Sequence, residues 1–589
     1  MVSAIAVRFR LLRLLGRAGP RPAALLVVLQ TVRAVVPVAQ ALAVGGLVAA
    51  LFAARTVAEA AVAAGLVAGL FLLDQVVWLL IVPVRTLVVR RIDGDLRARV
   101  RAVATAVPGL DVLESVAFQD RVSRAVDTGS GVGRERSAGG AAAGQLELVL
   151  RMVSTVAATA LVATLSVVLA VGLLALGLVL RAVIRRQWMR LVDMLDADTV
   201  SQRYDYYVSS QAVYFAAKDV RLFGLADWFA GRTRAAIARI YAPVWRELLA
   251  ALRRQWWTAV LALAGATAVL AAPAVAVLRG DLDPALLITY VLAGTAVLAI
   301  SATAVETFDI EYGRHAVAAA DELSTLYGAG SVADVAGPAA RPPTVRFENV
   351  VFSYPGEATP TLDGLTVTLH PGQTVAMVGA NGAGKTTFVK LLAGLYRPDS
   401  GRITVDGVEP HLRRPPLTVL FQDFVRYPAS LRDNVTAAAP GHPVDDDAVR
   451  DHLRRAGAAD LPADIDTLLW REGTDGTDLS GGQWQRVGLA RVLFAVTAGR
   501  RLLVLDEPTA SLDVRAEAEF HEQVVAGVRD ATTLLISHRM STVRFADRIL
   551  LLRDGRVVED GTHDDLLALG GGYARFFTAQ AAAFRGEPA

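Results

Sequence analysis

Cysteine is absent from this sequence of 589 residues, and lysine occurs at only three positions, 218, 385 and 390. The lack of cysteine excludes disulfide bonds, thiolate metal sites and a cysteine nucleophile. A large charge of one sign is also missing, because 60 basic residues and 57 acidic ones leave a net charge of +3. So small an excess gives no case for a nucleic acid partner.

The apolar residues are concentrated in the first half of the chain. They make up 53% of the whole sequence, and the mean hydropathy of +0.42 is too high for an ordinary soluble enzyme. A helix needs about 20 apolar residues to span a bilayer. The sequence predicts membrane spans at Ala23–Phe52, Val57–Val84, Trp257–Leu278 and Ala285–Val305, with a longer apolar block at Ala143–Ile184.

Arginine-rich segments decide how often that block crosses. Such segments mark the cytoplasmic side of a membrane, and they occur here at residues 8–21, 90–101 and 181–190. The second and third groups flank the block, so it must cross twice, as a tight hairpin. We therefore expect a multi-pass protein of the cell membrane, with six spans, both termini in the cytoplasm and two long cytosolic loops at 86–142 and 185–255.

Two charges lie inside the first two predicted spans. Arg33 and Asp74 are at similar depths when counted from the short outer loop. A charge near the bilayer centre costs roughly 2.5–3.5 kcal/mol, so neither side chain should face lipid unpaired. The sequence leaves two readings open: the charges pair with each other, or Arg33 extends to the inner interface and Asp74 faces an aqueous cavity.

A glycine loop carries two of the three lysines. Residues 379–386 read G-x-x-x-x-G-K-T, after the apolar run TVAMV and before the helix-like TTFVKLLAGL. This strand–loop–helix context is typical of a phosphate-binding loop, whose backbone N–H groups and helix N-terminus surround phosphate oxygens. The compact ammonium of Lys385 can reach the β- and γ-phosphates, and the Thr386 hydroxyl can bind Mg²⁺. Lys390 is interpreted as an incidental residue of the helix surface.

Further motifs follow at the ends of apolar strands. RLLVLDEPT places Asp506 as a possible Mg²⁺ ligand, with Glu507 next to it as a possible base for an attacking water. LLISHR places His538, LFQDF places Gln422, and VFSYPG places Tyr354. Each has an ordinary structural alternative, such as a helix cap, a structural histidine or a turn tyrosine. In this order and spacing they indicate one nucleotide site together with LSGGQ at 479–483.

These motifs together resemble an ATP-binding-cassette transporter of the exporter type, with six spans ahead of one nucleotide-binding domain. The resemblance implies an all-α six-helix transmembrane domain followed by an α/β P-loop NTPase domain. We place the membrane domain at 1–325, a linker at 326–343 and the nucleotide-binding domain at 344–589. The region Tyr204–Gly224 is similar to the part of the family's second cytosolic loop that transmits motion.

The resemblance also assigns residues to ATP, Mg²⁺ and catalysis. It implies ATP contacts at Tyr354, Gly379, Asn381, Gly382, Gly384, Lys385, Thr386, Thr387, Gln422, Ser480, Gly481, Gly482, Gln483 and Asp513. It implies Mg²⁺ ligands at Thr386, Gln422 and Asp506. The expected catalytic residues are Glu507, His538, Gln422 and Lys385.

The sequence departs from the family's pattern at two places. The segment LLWREGTDGTD precedes the LSGGQ motif where relatives carry Val-Gly-Glu, so Arg471 or Glu472 is the expected contact to the membrane domain. Tyr427 stands where many relatives carry Leu-Phe.

One cassette holds half of each composite site, so we expect a second half-transporter subunit, and the intact Glu507 and LSGGQ favour a homodimer. The expected activity is ATP-driven export of a peptide, lipid or drug-like cargo; import of a siderophore or vitamin and a non-transport cassette ATPase are the alternatives.

Overall fold

The computed structural model describes residues 2–53, 57–107, 109–126, 137–197, 217–302, 306–328, 337–458, 460–470, 476–508 and 530–585. The chain forms two compact units. The first comprises Met1–Ala104 and Val116–Ala329, and the second comprises Thr105–Ser115 and Gly330–Ala589. The short segment Thr105–Ser115 therefore packs with the second unit although it lies within the predicted first cytosolic loop. The domain limits proposed from the sequence stay predictions.

Every regular element that the structure describes in the first half of the chain is a helix. Its helices are α1 (Val2–Arg13), α2 (Pro20–Ala53), α3 (Val57–Ala106), α4 (Leu110–Leu113), α5 (Val116–Val126), α6 (Ala138–Ala163), α7 (Val167–Ala197), α8 (Ala217–Leu222), α9 (Ala226–Arg254), α10 (Trp256–Arg279), α11 (Leu287–Leu298) and α12 (Glu306–Tyr327). Short 3₁₀ turns occur at Leu14–Ala18, Pro284–Leu286 and Ala299–Ser301. Of these helices, α4 belongs to the second compact unit.

Within the part of the chain that the structure describes, six segments are long and apolar enough to cross a membrane. They are Pro20–Phe52, Ala60–Ala106, Ala138–Ala163, Val167–Arg190, Trp256–Arg279 and Pro284–Tyr327, the last of which includes residues 303–305 that are not described. Most of their apolar side chains are not buried within the protein, which suits a lipid environment. The predicted hairpin is confirmed, because α6 and α7 are separate helices joined by residues 164–166.

Small residues let α6 and α12 approach closely. The first seven residues of α6, Ala138–Gly144, are alanines and glycines, and all are buried. A Cβ atom at Gly139 would lie 2.5 Å from the carbonyl oxygen of Val89, and one at Gly313 would lie 2.3 Å from that of Ser137. Both distances are far below contact, so glycine at these two positions fixes the packing of the helices around the start of α6.

Arg33 and Asp74, which lie within the first two predicted spans, do not pair with each other. The closest carboxylate to Arg33 is that of Glu147 on α6, at 4.0 Å, and Asp74 forms no ion pair with any residue that the structure describes. Glu147 also lies 3.1 Å from Arg151, whose guanidinium is 2.7 Å from the buried Glu306 of α12. The first of the two interpretations, an Arg33–Asp74 pair, is therefore wrong, because equal depth on two consecutive helices does not determine which faces meet.

The second unit is built on two sheets. Its strands are β1 (Val345–Phe352), β2 (Leu362–Leu369), β3 (Thr374–Val378), β4 (Ser400–Val405), β5 (Leu417–Leu420), β6 (Leu502–Asp506), β7 (Thr532–Ile536), β8 (Arg548–Arg553) and β9 (Arg556–Gly561). An antiparallel sheet has the order β2-β1-β4, and a six-stranded sheet has the order β5-β6-β7-β3-β8-β9. The described helices of this unit, besides α4, are α13 (Lys385–Leu392), α14 (Leu431–Thr436), α15 (Asp446–Arg455), α16 (Gly481–Thr497), α17 (Met540–Val543), α18 (His563–Leu569) and α19 (Gly572–Arg585).

The parallel strands position the candidate site. Strands β5, β6, β7, β3 and β8 run parallel, and only β9 is antiparallel. Every residue of β6 and β7 is buried, which is typical of parallel strands covered on both faces. Parallel strands end at one edge of their sheet, and ligands of such folds bind outside those carboxyl ends. The motifs that follow β3, β5, β6 and β7 are therefore brought to one edge.

Candidate functional site

The loop after β3 has the geometry of a phosphate cradle. Gly384 adopts φ +103°, and a Cβ atom there would lie 2.6 Å from Leu362. A Cβ atom at Gly379 would lie 2.3 Å from the carbonyl oxygen of Leu552. Glycine is required at both positions, and the loop leads directly into the N-terminus of α13. The N–H groups and the positive end of that helix are available to an anion.

Lys385 is buried at the first position of α13. Its ammonium donates to the carbonyl oxygens of Gly379 and Ala380, at 2.8 and 2.9 Å. Burial lowers its pKa, while the nearby carboxylates of Asp506 and Glu507 raise it in part. These two carbonyls hold the ammonium inside the loop, where it can meet phosphate oxygens as a point charge.

The next site residues follow the buried strand β6. Asp506 is its last residue and is buried, and Glu507 follows with φ +48°. Burial and the charge of Glu507 raise the pKa of Asp506 to about 6, and Lys385 opposes this rise. A left-handed backbone is strained for a glutamate, and such strain is concentrated at functional sites. The Glu507 N–H group donates to the carbonyl oxygen of Ile536 at 2.9 Å, which fixes this turn.

His538 meets Glu507 across the ends of neighbouring strands. Its Nε2 atom lies 3.2 Å from a carboxylate oxygen of Glu507. Gln580 of α19 holds the backbone around the histidine: its amide donates to the carbonyl oxygen of His538 at 2.8 Å and accepts from the N–H group of Met540 at 2.7 Å. The sequence analysis missed Gln580, because nothing in the pattern of a C-terminal helix shows which strand end it reaches.

One cavity of about 410 Å³ collects most of the predicted residues. Its lining includes Tyr354, Asn381, Gly382, Gly384, Lys385, Thr386, Thr387, Gln422, Asp506, Glu507 and His538. The Tyr354 hydroxyl lies 3.1 Å from that of Thr387, so the aromatic ring is held beside the phosphate loop. Gly379 is absent from this lining but belongs to the adjoining cavity of about 250 Å³, where Asn381 and His538 also contribute.

The oxygen donors in the larger cavity fit Mg²⁺. A hydroxyl (Thr386), an amide (Gln422) and a carboxylate (Asp506) all line it, and Mg²⁺ prefers hard oxygen ligands while keeping waters and phosphate oxygens in its shell. Among the residues that the structure describes, no group of three or more His, Asp or Glu side chains could hold a metal by itself.

The LSGGQ segment forms a separate helix start. Ser480 caps α16 by accepting from the N–H group of Gln483, and the Gln483 side chain accepts from the N–H group of Ser480 in return. Gln483 also donates to Asp460 at 3.2 Å. Residues 480–483 are not part of the cavity lining around Lys385. Within this chain, the predicted nucleotide contacts therefore fall into two groups.

Gln485, which the sequence analysis also missed, links α16 to the carboxylate turn. Its amide donates to the carbonyl oxygen of Pro508 at 2.9 Å. Three other predicted positions, Asp513, Arg471 and Glu472, lie outside the described residues. Of the region Tyr204–Gly224, only residues 217–224 are described.

Comparisons with known proteins agree with the motifs. Residues 362–510 match the family model described as ABC transporter. The chain is 42% identical over 247 residues to the mycobactin import ATP-binding/permease protein IrtB of Mycolicibacterium thermoresistibile, covering 41% of this chain and 42% of that protein. It is 38% identical over 243 residues to the ATP-dependent lipid A-core flippase of Thiobacillus denitrificans, covering 40% of this chain and 41% of that protein. The aligned part thus spans about two fifths of the length of these relatives.

A solved structure extends the likeness to the whole chain. The structure of a bacterial Atm1-family ABC exporter with ATP bound is similar to this chain, with a TM-score of 0.68 and 23% identity, over 96% of this chain and 99% of that one. At this identity the match shows the fold.

Proposed function

We propose that this chain, which carries an ABC transporter domain in its second half and has the fold of an ABC exporter, is an ATP-driven membrane transporter that works as a dimer. The observation that carries the proposal is the single cavity at the carboxyl edge of the six-stranded sheet. It combines a phosphate loop, a buried lysine, two adjacent carboxylates and a histidine.

In this proposal Lys385 and the N–H groups of residues 379–386 bind the terminal phosphates of ATP. Thr386, Gln422 and Asp506 would hold Mg²⁺, which supplies charge neutralisation at the transferred phosphoryl group. Glu507 accepts a proton from the water whose oxygen attacks the γ-phosphorus, and the bond from that phosphorus to the β,γ-bridging oxygen breaks. His538, 3.2 Å from Glu507, orients this carboxylate and meets the γ-phosphate.

The dimer follows from the two groups of predicted contacts. Residues 480–483 cap α16 away from the cavity that contains Lys385, so a second copy would supply them to each nucleotide. Both the Glu507 carboxylate and the LSGGQ motif are intact in this chain. A homodimer would therefore have two working sites, and we favour it over pairing with a different subunit.

The direction of transport that we favour is outward, with both termini in the cytoplasm and a peptide, lipid or drug-like cargo. Import is the second candidate, and the observation that favours it is the 42% identity to a protein named for mycobactin import. Everted membrane vesicles separate the two directions. Export predicts ATP-dependent uptake of cargo into everted vesicles, whereas import predicts ATP-dependent uptake only into right-side-out ones loaded with ATP.

Cargo can be identified with the same protein in lipid nanodiscs. Peptides, lipids, siderophores and drugs would be screened for stimulation of ATP hydrolysis, with the Glu507→Gln variant as the control for contaminating ATPases. Hydrolysis in the wild type at the level of this control would contradict the proposed function.

A further inference from the structure

Lys390 is not an incidental residue of the helix surface. It is half-buried at the end of α13, and its ammonium lies 5.2 Å from the ring centroid of Tyr354 and 5.6 Å from that of Tyr396. A lysine within about 6 Å of an aromatic ring is attracted to the negative charge density of its face. One ammonium therefore contacts two rings at once.

Tyr354 and Tyr396 also contact each other. Their ring centroids are 5.5 Å apart with planes nearly perpendicular, an edge-to-face arrangement, and Phe352 packs against both. Tyr396 is buried, with 3% of its surface exposed, while Tyr354 lines the cavity that contains Lys385. Lys390 and Tyr396 thus support Tyr354 from positions outside the lining of that cavity.

The hydroxyl of Tyr396 reaches the segment Thr105–Ser115. It donates a hydrogen bond to the carboxylate of Glu114. Burial and the neighbouring Glu114 raise the pKa of Tyr396 above its usual range, so the hydroxyl keeps the proton that it donates. The backbone of the same segment also bonds to the residue before Tyr396. The N–H group of Leu110 donates to the carbonyl oxygen of Leu395 at 2.8 Å. The Leu110 side chain packs on the apolar core that contains Tyr396.

These contacts form a continuous path from the cavity to the segment. Tyr354 presents an aromatic face beside a phosphate loop, and stacking on such a face suits any nucleobase. A residue that orients the Tyr354 ring therefore affects binding of the base. Tyr396 contacts Tyr354, Lys390 and Glu114.

We propose that Lys390 and Tyr396 are positioning residues that hold Tyr354 as a platform for the nucleobase and tie that platform to Thr105–Ser115, so that base binding and docking of this segment stabilise each other. The inference rests on the proposed ATP site. It adds two residues to that site and assigns the sensing of the nucleobase, as distinct from the phosphates, to this segment.

The first test compares ATP with inorganic tripolyphosphate, which has the phosphates without the base. Equilibrium binding of each would be measured by calorimetry on the full chain in nanodiscs, in the Glu507→Gln background that preserves ATP. Lys390→Ala should weaken ATP binding roughly 2–5-fold, the size of one exposed cation–π contact, and leave tripolyphosphate unchanged. Lys390→Arg, which keeps a cation over the rings, should restore most of the ATP affinity.

Equal weakening of both ligands, or of neither, by Lys390→Ala would overturn the platform role. Retained tripolyphosphate binding shows that the variant is folded. If the parent protein bound neither ligand, the proposed ATP site would fail, an outcome distinct from failure of the Lys390 assignment.

The second test measures the link to the segment by hydrogen exchange. In the parent protein ATP should protect the amides of Thr105–Ser115, including Leu110, more than tripolyphosphate does. Tyr396→Phe keeps the ring and removes only the hydroxyl that meets Glu114, so it should abolish the difference between the two ligands while ATP still binds. Glu114→Gln retains a hydrogen-bond acceptor and should keep most of the difference. An ATP-specific protection that persists in Tyr396→Phe, or is absent from the parent, would contradict the link.

Discussion

Buried charges occur in both compact units, but the groups that surround them differ. In the helical unit the Glu306 carboxylate is 2.7 Å from Arg151, which also lies 3.1 Å from Glu147. At the sheet edge Asp506 and Glu507 are adjacent in sequence, and the Lys385 ammonium is held by two backbone carbonyls. The pKa of Asp506 rises to about 6 there. Removing one partner of a buried ion pair of the first kind destabilises a fold, whereas adjacent carboxylates beside a buried cation, as in the second kind, are typical of a ligand site.

The largest effect on activity is expected from Glu507→Gln at the sheet edge. Removing a positioned base typically costs on the order of 10²–10⁴-fold in rate, so the steady-state rate of ATP hydrolysis should fall by that factor. ATP binding and the unfolding temperature should change little, because Asp506 and the two loop carbonyls still compensate Lys385 when residue 507 is neutral. A variant that hydrolyses ATP within a few-fold of wild type would remove Glu507 from the role of base.

Arg151→Ala should show the opposite pattern. Losing this guanidinium leaves Glu306 buried without its partner, and breaking a buried pair from one side costs about 3–5 kcal/mol. We expect a marked fall in the unfolding temperature measured in nanodiscs, and adding Glu306→Gln should recover much of it. Arg33→Ala is the matched control, because its 4.0 Å approach to Glu147 predicts a small loss. Equal losses for Arg151→Ala and Arg33→Ala would show that the charges of the helical unit are not paired as described.

Lys385→Arg should be defective although it conserves charge. The ammonium fits between the carbonyl oxygens of Gly379 and Ala380, and a planar guanidinium does not. Losing a charge-assisted hydrogen bond costs about 1.5–3 kcal/mol, or roughly 10–100-fold in ATP affinity. Calorimetric titration with ATP measures this. Lys390→Arg is the control on the same helix, and an affinity for Lys385→Arg equal to that of the wild type would contradict the need for a compact cation.

The smallest expected effect is a dependence of Mg²⁺ affinity on pH. The raised pKa of Asp506, about 6, means that the carboxyl becomes neutral as the pH falls through 6 and then competes poorly for a cation. The apparent Mg²⁺ dissociation constant of the ATP-bound protein should thus rise up to about tenfold for each pH unit below 6 and be flat above 7. Titrations would hold the concentration of deprotonated ATP constant. The Asp506→Asn variant should lack the inflection, and an inflection that persists in it would assign the titration to another group.

The sequence could predict that Asp506, Gln422 and His538 lie together, because each stands at or just after the end of a strand. Asp506, Gln422 and His538 follow apolar runs that become β6, β5 and β7, and parallel strands bring their ends together without further information. The glycine loop is equally local, since its conformation depends on glycines within six positions.

The residues that were missed depend on contacts between distant segments. Lys390 stacks on Tyr396 and Tyr354, Gln580 reaches the backbone of His538 from the C-terminal helix, and Glu114 meets Tyr396 from a separate part of the chain. None of these side chains stands in a distinctive local pattern.

Composition predicted the membrane spans, but it did not predict which residues of different spans contact each other. The hairpin at 164–166 was predicted because charge topology requires an even number of crossings. The partner of Arg33 depends on helix rotation, which hydropathy does not encode, and the structure places Glu147 there instead of Asp74.

If two copies of this chain complete each nucleotide site, the phosphate loop of one copy must lie beside the start of α16 of the other. The absence of cysteine allows this proximity to be measured directly. Asn381→Cys beside the phosphate loop and Ser480→Cys at the start of α16 would be introduced together in the Glu507→Gln background and treated with a short thiol cross-linker. We expect a covalent species of twice the chain mass that forms with ATP and Mg²⁺ and is much reduced without ATP or in either single-cysteine variant. A cross-link that forms only within one chain, or a dimer yield unaffected by ATP, would contradict this arrangement.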